Sequence, residues 1–312
     1  MTTDDKQTAE SGRPAPIKAI PVKHPGQWVA GTIVVVLAGL FIYGAATNDN
    51  YHWDTFGKYL FEVRILSGVG YTLALTILAM VGGVALGVLL AVMRMSPNGV
   101  FRWAAWIYLW VFRGTPVYVQ LILWGLFGSL YPTINIGVPF GPTFVEWDAQ
   151  EFSLQHVFVL ATIGLALNEA AYMAEIVRAG ISSVGEGQME ASTALGMTWG
   201  QTMRRTVLPQ AMRVIIPPTG NELISMLKTT SLVSAVPFTL DVFGRQGDIA
   251  GVNFQPIPLL LVASAWYLAV TSVLMVGQHF LEKRYARGSS RNLSDAQLEN
   301  LAAANNPNLI GG

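Results

Sequence analysis

Long apolar stretches constrain this chain more than any other feature. Crossing the hydrocarbon core of a bilayer as an α-helix takes about 20 mostly apolar residues, and several stretches of the sequence reach that length. Only 12% of the 312 residues are charged, which is too few to cover a soluble globule of this size. The expected fold class is therefore all-α, a polytopic membrane protein.

Charge and cysteine usage exclude several classes of function. The formal net charge is zero, and the basic residues form no groove-lining pattern, so nucleic acid is not an expected partner. The chain has no cysteine, which excludes disulfides, thiol catalysis and thiolate metal sites. Its four histidines are scattered without ligand spacing, so no metal site is predicted.

The apolar pattern predicts six transmembrane helices. The first, residues 28–46, follows a polar, proline-rich tail at residues 1–27 and is interpreted as an uncleaved anchor, with a cleaved signal peptide as the alternative. An amphipathic interfacial helix is predicted at residues 55–66, and a flexible tail at residues 286–312. The other spans are predicted at residues 68–93, 101–130, 156–181, 211–240 and 256–280.

Three of these spans carry local signals. Gly82, Gly83 and Gly87 in the second span permit close approach of another helix. Prolines predict a bend in the third span at Pro116 and an interruption of the fifth at residues 217–218. The loop at residues 131–155 is turn-rich, with three acids and no Lys or Arg. Lys and Arg concentrate on the side that holds both chain ends, so both termini are predicted to be cytoplasmic.

The segment between the fourth and fifth spans contains two helical patterns. Residues 188–195 are predicted to form a short helix, Gly196 to end it with a positive φ, and Thr198 to cap a second helix towards Arg205. An ordinary loop with two amphipathic turns explains the spacing equally well. The alternative is a helix–turn–helix to which a partner protein binds.

The residues of this segment carry a resemblance. Glu190-Ala191-Ser192, then Gly196, then Thr206-Val207-Leu208-Pro209 closely resembles the cytoplasmic "EAA" signature of permeases of ATP-binding-cassette (ABC) importers, with Ser192 in place of alanine and Thr206 in place of isoleucine. In that family the segment is the coupling helix, which seats on the ATPase subunit. The resemblance implies a coupling segment at residues 187–206 in which the ATPase contacts are Gln188, Glu190, Ala191, Leu195 and Gly196.

Further motifs are similar to those of polar amino-acid permeases of the histidine/glutamine/glutamate type, over residues 66–285. They are Arg113-Gly114-Thr115-Pro116, Ala171-Tyr172 with Glu175 and Arg178, Gly187-Gln188, Leu208-Pro209-Gln210-Ala211, Pro217-Pro218, Asn221 and Lys228-Thr229-Thr230-Ser231-Leu232. This resemblance implies a non-enzymatic translocation subunit with a five-helix type I importer core, to which the first span is added. Structural or gating roles are expected for Arg113, Gly114, Thr115, Pro116, Glu175, Arg178, Pro209, Pro217 and Pro218.

Charged groups inside a span cost roughly 2.5–3.5 kcal/mol each, so they usually face a partner or an aqueous path. Glu169 is expected to hold the ammonium or a cationic side chain of the substrate, or alternatively to pair with Lys228. Glu175 and Arg178 are spaced to pair with each other. Arg113 lies either near the outer mouth or at a domain contact. The predicted substrate pathway comprises Asn168, Glu169, Tyr172, Asn221, Glu222, Lys228, Thr230 and Ser231.

The energy source and partners follow from what the chain lacks. It has no G-x-x-x-x-G-K-[ST] phosphate loop, so no cofactor is bound directly and a separate ATPase subunit must use the ATP. The family resemblance implies an extracytoplasmic solute-binding protein, a second permease chain as homodimer or related heterodimer, and a place in the bacterial cytoplasmic (inner) membrane.

Rival functions fit less well. A membrane-embedded enzyme would show a fixed set of catalytic side chains, and an ion-coupled carrier would usually show an internal repeat; neither pattern is present. A permease of the same superfamily for an opine, sugar or peptide stays open as the alternative. The sequence does not identify which amino acid is carried.

Overall fold

The structure is a computed structural model that describes residues 25–138 and 141–285. The predicted tails at residues 1–24 and 286–312 lie outside the described residues. The chain divides into two units between Tyr51 and His52. The first unit contains helix α1, Pro25–Thr47, and a 3₁₀ turn, Asp49–Tyr51. Helix α1 is long and apolar enough to cross a membrane and extends the predicted span at both ends.

The second unit is mainly helical within the described ranges. Its elements are α2 (Trp53–Leu60), α3 (Val63–Met95), α4 (Gly99–Gly114), α5 (Val117–Gly125), α6 (Phe127–Leu130), β1 (Thr133–Gly137), β2 (Thr143–Asp148), α7 (Ala149–Gln155), α8 (Val157–Ser182), α9 (Glu186–Ala194), α10 (Trp199–Thr202), α11 (Leu208–Thr229), α12 (Val242–Asn253) and α13 (Pro256–Tyr285). Among the described residues, α1, α3, α8 and α13 combine the length and hydropathy of membrane spans. The chain is a multi-pass membrane protein.

The predicted bend in the third span is a full break. Helix α4 ends at Gly114 and α5 begins at Val117, while Thr115 is extended with ψ 144° and Pro116 caps α5. This agrees with the steric restriction that proline places on the residue before it. Neither α4 nor α5 alone has the length of a span, so crossing the bilayer here requires both.

The predicted interruption of the fifth span at the two prolines is wrong. Helix α11 runs through Pro217 and Pro218 and ends only at Thr229, where a 3₁₀ turn, Thr230–Ala235, follows. It is entered directly from α10 through a π-helical turn, Met203–Val207. Gln278 of α13 packs against this part of α11 and donates from Nε2 to the Pro217 carbonyl at 2.8 Å. The carbonyls that lose an amide partner to the two prolines are those of Arg213 and Val214.

The interfacial helix predicted at residues 55–66 is too long. Helix α2 ends at Leu60, and α3 begins at Val63. Glu62 separates them because its carboxylate accepts from the backbone N–H of Arg64 at 2.9 Å and of Ile65 at 3.3 Å, which caps α3. The residues after Glu62 therefore belong to the first turn of a 33-residue helix.

Four elements, β1, β2, α7 and α12, fall where the sequence predicted no regular structure. The loop at residues 131–155 contains the antiparallel ribbon of β1 and β2 and then α7. Helix α12 follows the 3₁₀ turn, and buried Asp241 caps it by accepting from the N–H groups of Phe243 and Gly244. Within the described residues, the chain is therefore helical except for this two-stranded ribbon.

Close packing of α3 on α8 organises the second unit. A Cβ added to Gly83 would lie 2.6 Å from Cγ of Glu169, and one added to Gly87 would lie 2.5 Å from Cβ of Met173. Added atoms at Gly82 would meet Ala166 at 3.1 Å. These glycines let the two backbones approach, as the sequence predicted.

Substitution of Gly87 tests this packing. We expect Gly87→Ala to destabilise the protein by about 1–3 kcal/mol, because the new methyl group forces Met173 and the α8 backbone to move. Gly70→Ala is the matched control on the same helix, since nothing lies within 4 Å of its added Cβ. Thermal unfolding of the purified protein measures both. Equal midpoints for the two variants would contradict the close contact.

Candidate functional site

Glu169 is a buried carboxyl group at the α3–α8 contact. Its side chain is 4% exposed and lies directly over Gly83. Within the described residues, no hydrogen-bond donor reaches Oε1. A buried polar atom without a partner is costly, so this carboxyl group is ready to bind a donor that the chain does not supply.

A second carboxyl group lies within electrostatic range of Glu169. It belongs to Glu222 of α11, which is partly buried. Lys228 is exposed and, in the described part of the chain, forms no ion pair with Glu169. The Glu169–Lys228 pair that the sequence left open therefore does not form here, and among the described residues neither Glu169 nor Glu222 has an ion-pair partner.

The break between α4 and α5 is filled by Gln120. Its Nε2 donates to the carbonyls of Phe112 and Thr115, each at 3.0 Å, and to Thr115 Oγ1 at 2.8 Å. Its Oε1 accepts from Asn168 Nδ2 at 3.0 Å. The predicted pathway residue Asn168 is thus held in a packed network that joins the break to α8.

Arg113 beside this break and the charged residues in the second half of α8 are partnered. The Arg113 guanidinium lies 5.6 Å from the centre of the Tyr172 ring, so two residues predicted for different roles are in contact. The predicted pair of Glu175 and Arg178 is confirmed, with Arg178 donating to Glu175 Oε2 from Nε at 3.0 Å and from the terminal nitrogen at 2.8 Å.

The polar residues at the end of α11 bind their own backbone. Thr230 Oγ1 donates to the Leu227 carbonyl and Ser231 Oγ to the Lys228 carbonyl, each at 2.7 Å. These bonds satisfy carbonyls that the helix leaves free at its end. Asn221, in contrast, is exposed on α11. The predicted pathway hydroxyls therefore terminate the helix.

The segment after α8 forms the predicted helix–turn–helix. Helix α9 ends at Ala194, Gly196 has φ 74°, and Thr198 begins α10 with a capping box in which Thr198 N donates to Gln201 Oε1 at 2.9 Å. Only glycine adopts such a φ without strain. After the π-helical turn, Pro209 lies in the first turn of α11, where its missing N–H is not needed.

The two residues that depart from the signature touch each other. Ser192 Oγ donates to the Gln188 carbonyl at 2.8 Å and lies 3.0 Å from Thr206 Oγ1. Since Ser192 has a single hydroxyl proton, Thr206 donates to Ser192. This bond ties α9 to the π-helical turn that leads into α11.

The outer surface of this helix–turn–helix is apolar as well as acidic. Leu195 is 81% exposed and Trp199 is 76% exposed. Glu190 and Ala191 are exposed beside them on α9. Large apolar side chains on a polar rim mark protein contact sites, so the surface has the composition of a docking site.

Sequence reasoning missed two residues here. Gln120 is a lone amide in the apolar stretch Val117–Gly125, and a polar group at membrane depth is a signal that could have identified it. Trp199 lies just beyond the signature residues. Its exposure could not be read from the sequence, since an apolar residue after a cap is usually buried.

Comparison with known proteins gives a consistent result. The family described as "Binding-protein-dependent transport system inner membrane component" matches residues 83–287. The arginine transport system permease protein ArgU of Corynebacterium glutamicum is 60% identical over 95% of this chain and 92% of its own length. The probable amino-acid ABC transporter permease protein YckA of Bacillus subtilis is 35% identical over 71% of this chain and 89% of its own.

A solved structure agrees with these relatives. A chain in the crystal structure of an amino acid ABC transporter with histidines aligns with a TM-score of 0.59 and 34% identity. The alignment covers 71% of this chain and 94% of that chain.

A double-mutant cycle tests the Ser192–Thr206 contact. We expect Ser192→Ala and Thr206→Ile each to lower stability by about 0.5–1.5 kcal/mol, because each removes the part-buried bond between the two hydroxyls. The double variant replaces both polar partners by apolar groups and should return close to the wild-type value.

Thermal unfolding of the four proteins measures the cycle. Thr193→Ala, which removes an exposed hydroxyl bonded to the Met189 carbonyl, serves as the control. Strictly additive effects would show that the two hydroxyls are not coupled.

Proposed function

Because this chain belongs to the family of binding-protein-dependent transport system inner membrane components and is the permease subunit of an ABC importer for polar amino acids, we propose that its substrate is arginine. The subunit is not itself an enzyme. The name of the 60% identical relative supports arginine. A physical reason comes from the membrane-buried acids.

The observation that carries this proposal is the pair of acids without a cation. Glu169 and Glu222 lie within electrostatic range of each other, and in the described chain Glu169 Oε1 has no donor. A guanidinium presents several N–H donors in a planar fork that matches carboxylates. Binding of an arginine side chain would supply both the missing charge and the missing hydrogen bonds. A neutral amino acid offers only its α-ammonium, whose charge is balanced by its own carboxylate, and has no cationic side chain.

We propose a six-span topology with both termini in the cytoplasm. Helices α1, α3, α8 and α13 supply four spans, and α4 with α5 and α11 supply the other two. Since α9 and α10 follow the fourth of these spans, they face the cytoplasm, in agreement with the distribution of Lys and Arg. Helix α1 is the span added to the five-helix core.

As a family member the chain works with an ATPase and a solute-binding protein. We propose in addition that a second permease chain packs against an open apolar groove of about 1320 Å³. The groove lies between α3, α8 and α11 and is lined by Met80, Val84, Met173, Ile215 and Leu223, among others. Two copies facing each other there would enclose a path beside Glu169 and Glu222.

The ATPase would bind the exposed surface of α9 and α10. Glu190, Ala191 and Leu195 are exposed on it, and Gly196 sets its angle. Gln188 lies at its inner edge, where Gln210 Nε2 approaches its Oε1 at 3.4 Å. The connection from α10 through the π-helical turn to α11 gives the motion of the ATPase a direct route to a membrane helix.

Substitution at Gly196 tests this coupling. A non-glycine residue in the left-handed region costs about 1–2 kcal/mol, so Gly196→Ala should reduce the stimulation of ATP hydrolysis by the binding protein about fivefold or more. Gly200→Ala is the matched control, because both sites have open space and only Gly196 has a positive φ.

The measurement uses the complete assembly in proteoliposomes. Copurification of the ATPase is followed in parallel, which separates loss of docking from loss of stimulation. Full stimulation in the Gly196 variant would contradict the coupling role.

Substitution at Glu169 tests the substrate. Hydrogen bonds to charged groups contribute about 1.5–3 kcal/mol, so Glu169→Gln should weaken arginine binding to the permease assembly about tenfold or more. Citrulline, the uncharged analogue, should be bound equally by wild type and variant. Glu175→Gln is the control, since Glu175 has Arg178 as its partner.

Binding is measured on the permease–ATPase assembly without the solute-binding protein, which otherwise selects the substrate first. Unchanged arginine affinity in Glu169→Gln would overturn the proposed site.

A further inference from the structure

The β1–β2 ribbon has one apolar and one polar face. Its register pairs Ile134 with Trp147 and Ile136 with Val145, and these pairs alternate with Asn135–Glu146. Directly opposed residues of an antiparallel pair lie on the same face. We call Ile134, Ile136, Val145 and Trp147 the apolar ribbon face. The opposite face carries the polar pairs, including both acids of the strands. Phe144, which is 69% exposed, is the unpaired residue where the register shifts after Ile136.

The described chain leaves this face largely uncovered. Ile136 is 59% exposed and Val145 is 53% exposed, and Trp147 is also exposed. A two-stranded ribbon on its own is marginally stable in water, and usually needs a covered apolar face to persist. Another surface must therefore support it.

The ribbon is placed at the membrane boundary by its connections. Only Tyr131 and Pro132 separate it from α6, and α7 joins it to α8, which is long and apolar enough to cross the bilayer. It follows that the ribbon lies at the end of α8 opposite α9. Exposed apolar residues continue from the membrane helices to the ribbon through Leu126, Leu130 and Tyr131.

We propose that the apolar ribbon face lies on the lipid surface, inserted into the headgroup–acyl boundary beside the membrane helices. Tyr and Trp are enriched at this depth because their rings are amphipathic, and Tyr131 and Trp147 would occupy it. Glu146 and Asp148 would point to water. Residues 131–155 contain no Lys or Arg, so apolar insertion holds the ribbon and attraction to anionic lipid does not.

A lipid surface fits better than a second protein. Four side chains form a patch on the order of a few hundred Å², whereas a stable protein interface buries about 800 Å² on each partner. The bilayer needs no such area, because the ribbon is already covalently held beside it at both ends.

The absence of cysteine from the natural sequence makes a direct test possible. Val145→Cys and Glu146→Cys place one fluorophore on either face of β2. The full chain, in its assembly, is reconstituted into phosphatidylcholine vesicles with brominated or ordinary acyl chains. Brominated lipid should quench the fluorophore at residue 145 and leave residue 146 unquenched, whereas aqueous iodide should do the reverse.

Ile136→Cys and Asn135→Cys repeat the test on β1, so that failure of one variant to fold leaves a second pair to decide. Iodide quenching of residues 145 and 136 would show a ribbon in water and overturn the proposal. Protection of these residues from both quenchers would show a protein partner and overturn it equally. The readout is independent of transport, so it does not depend on the substrate or on coupling.

Discussion

The lack of water in the bilayer core governs how this chain breaks its helices. Every backbone carbonyl freed by a break must find a donor within the protein. At the α4–α5 break, Gln120 supplies that donor for two carbonyls and is itself held by Asn168. At the end of α11, the hydroxyls of Thr230 and Ser231 do the same. Polar side chains that look like pathway groups in the sequence are in large part used to stabilise the backbone.

The same constraint makes Glu169 unusual. The neighbouring Asn168 is bonded within the chain, whereas this carboxyl group is buried without a donor for Oε1 in the described residues and lies within electrostatic range of a second acid. Its position is set by Gly83, since any larger residue there would displace it. The close contact between α3 and α8 therefore fixes the position of the Glu169 carboxyl group. It restricts the space around this group but provides no donor for Oε1.

Local signals in the sequence predicted local geometry well. The positive φ of Gly196, the cap at Thr198, the Glu175–Arg178 pair and the break before Pro116 all depend on residues a few positions apart. The continuous course of α11 through its prolines could not be predicted in this way, because local proline signals favour a break and packing against distant helices overrides them. The ribbon was missed because its alternation spans only four residue pairs, and α12 because Asp241 was not recognised as a cap. Whether Glu169 pairs with Lys228 could not be predicted either, because the two residues are far apart in the sequence.

Departures from the signature are informative when they occur together. Ser192 replaces an alanine and Thr206 an isoleucine, and the structure shows that each hydroxyl is the partner of the other. The contact between α9 and the turn before α11 is therefore kept while its chemistry changes from apolar to polar. A π-helical turn is a frequent feature of functional sites, and this one continues without interruption into the helix that carries Glu222. If the ATPase binds α9 and α10 as proposed, a displacement of α9 would reach α11 through the Ser192–Thr206 bond and the π-helical turn. The proposed docking surface and the helix that carries Glu222 are thus joined by continuous contacts.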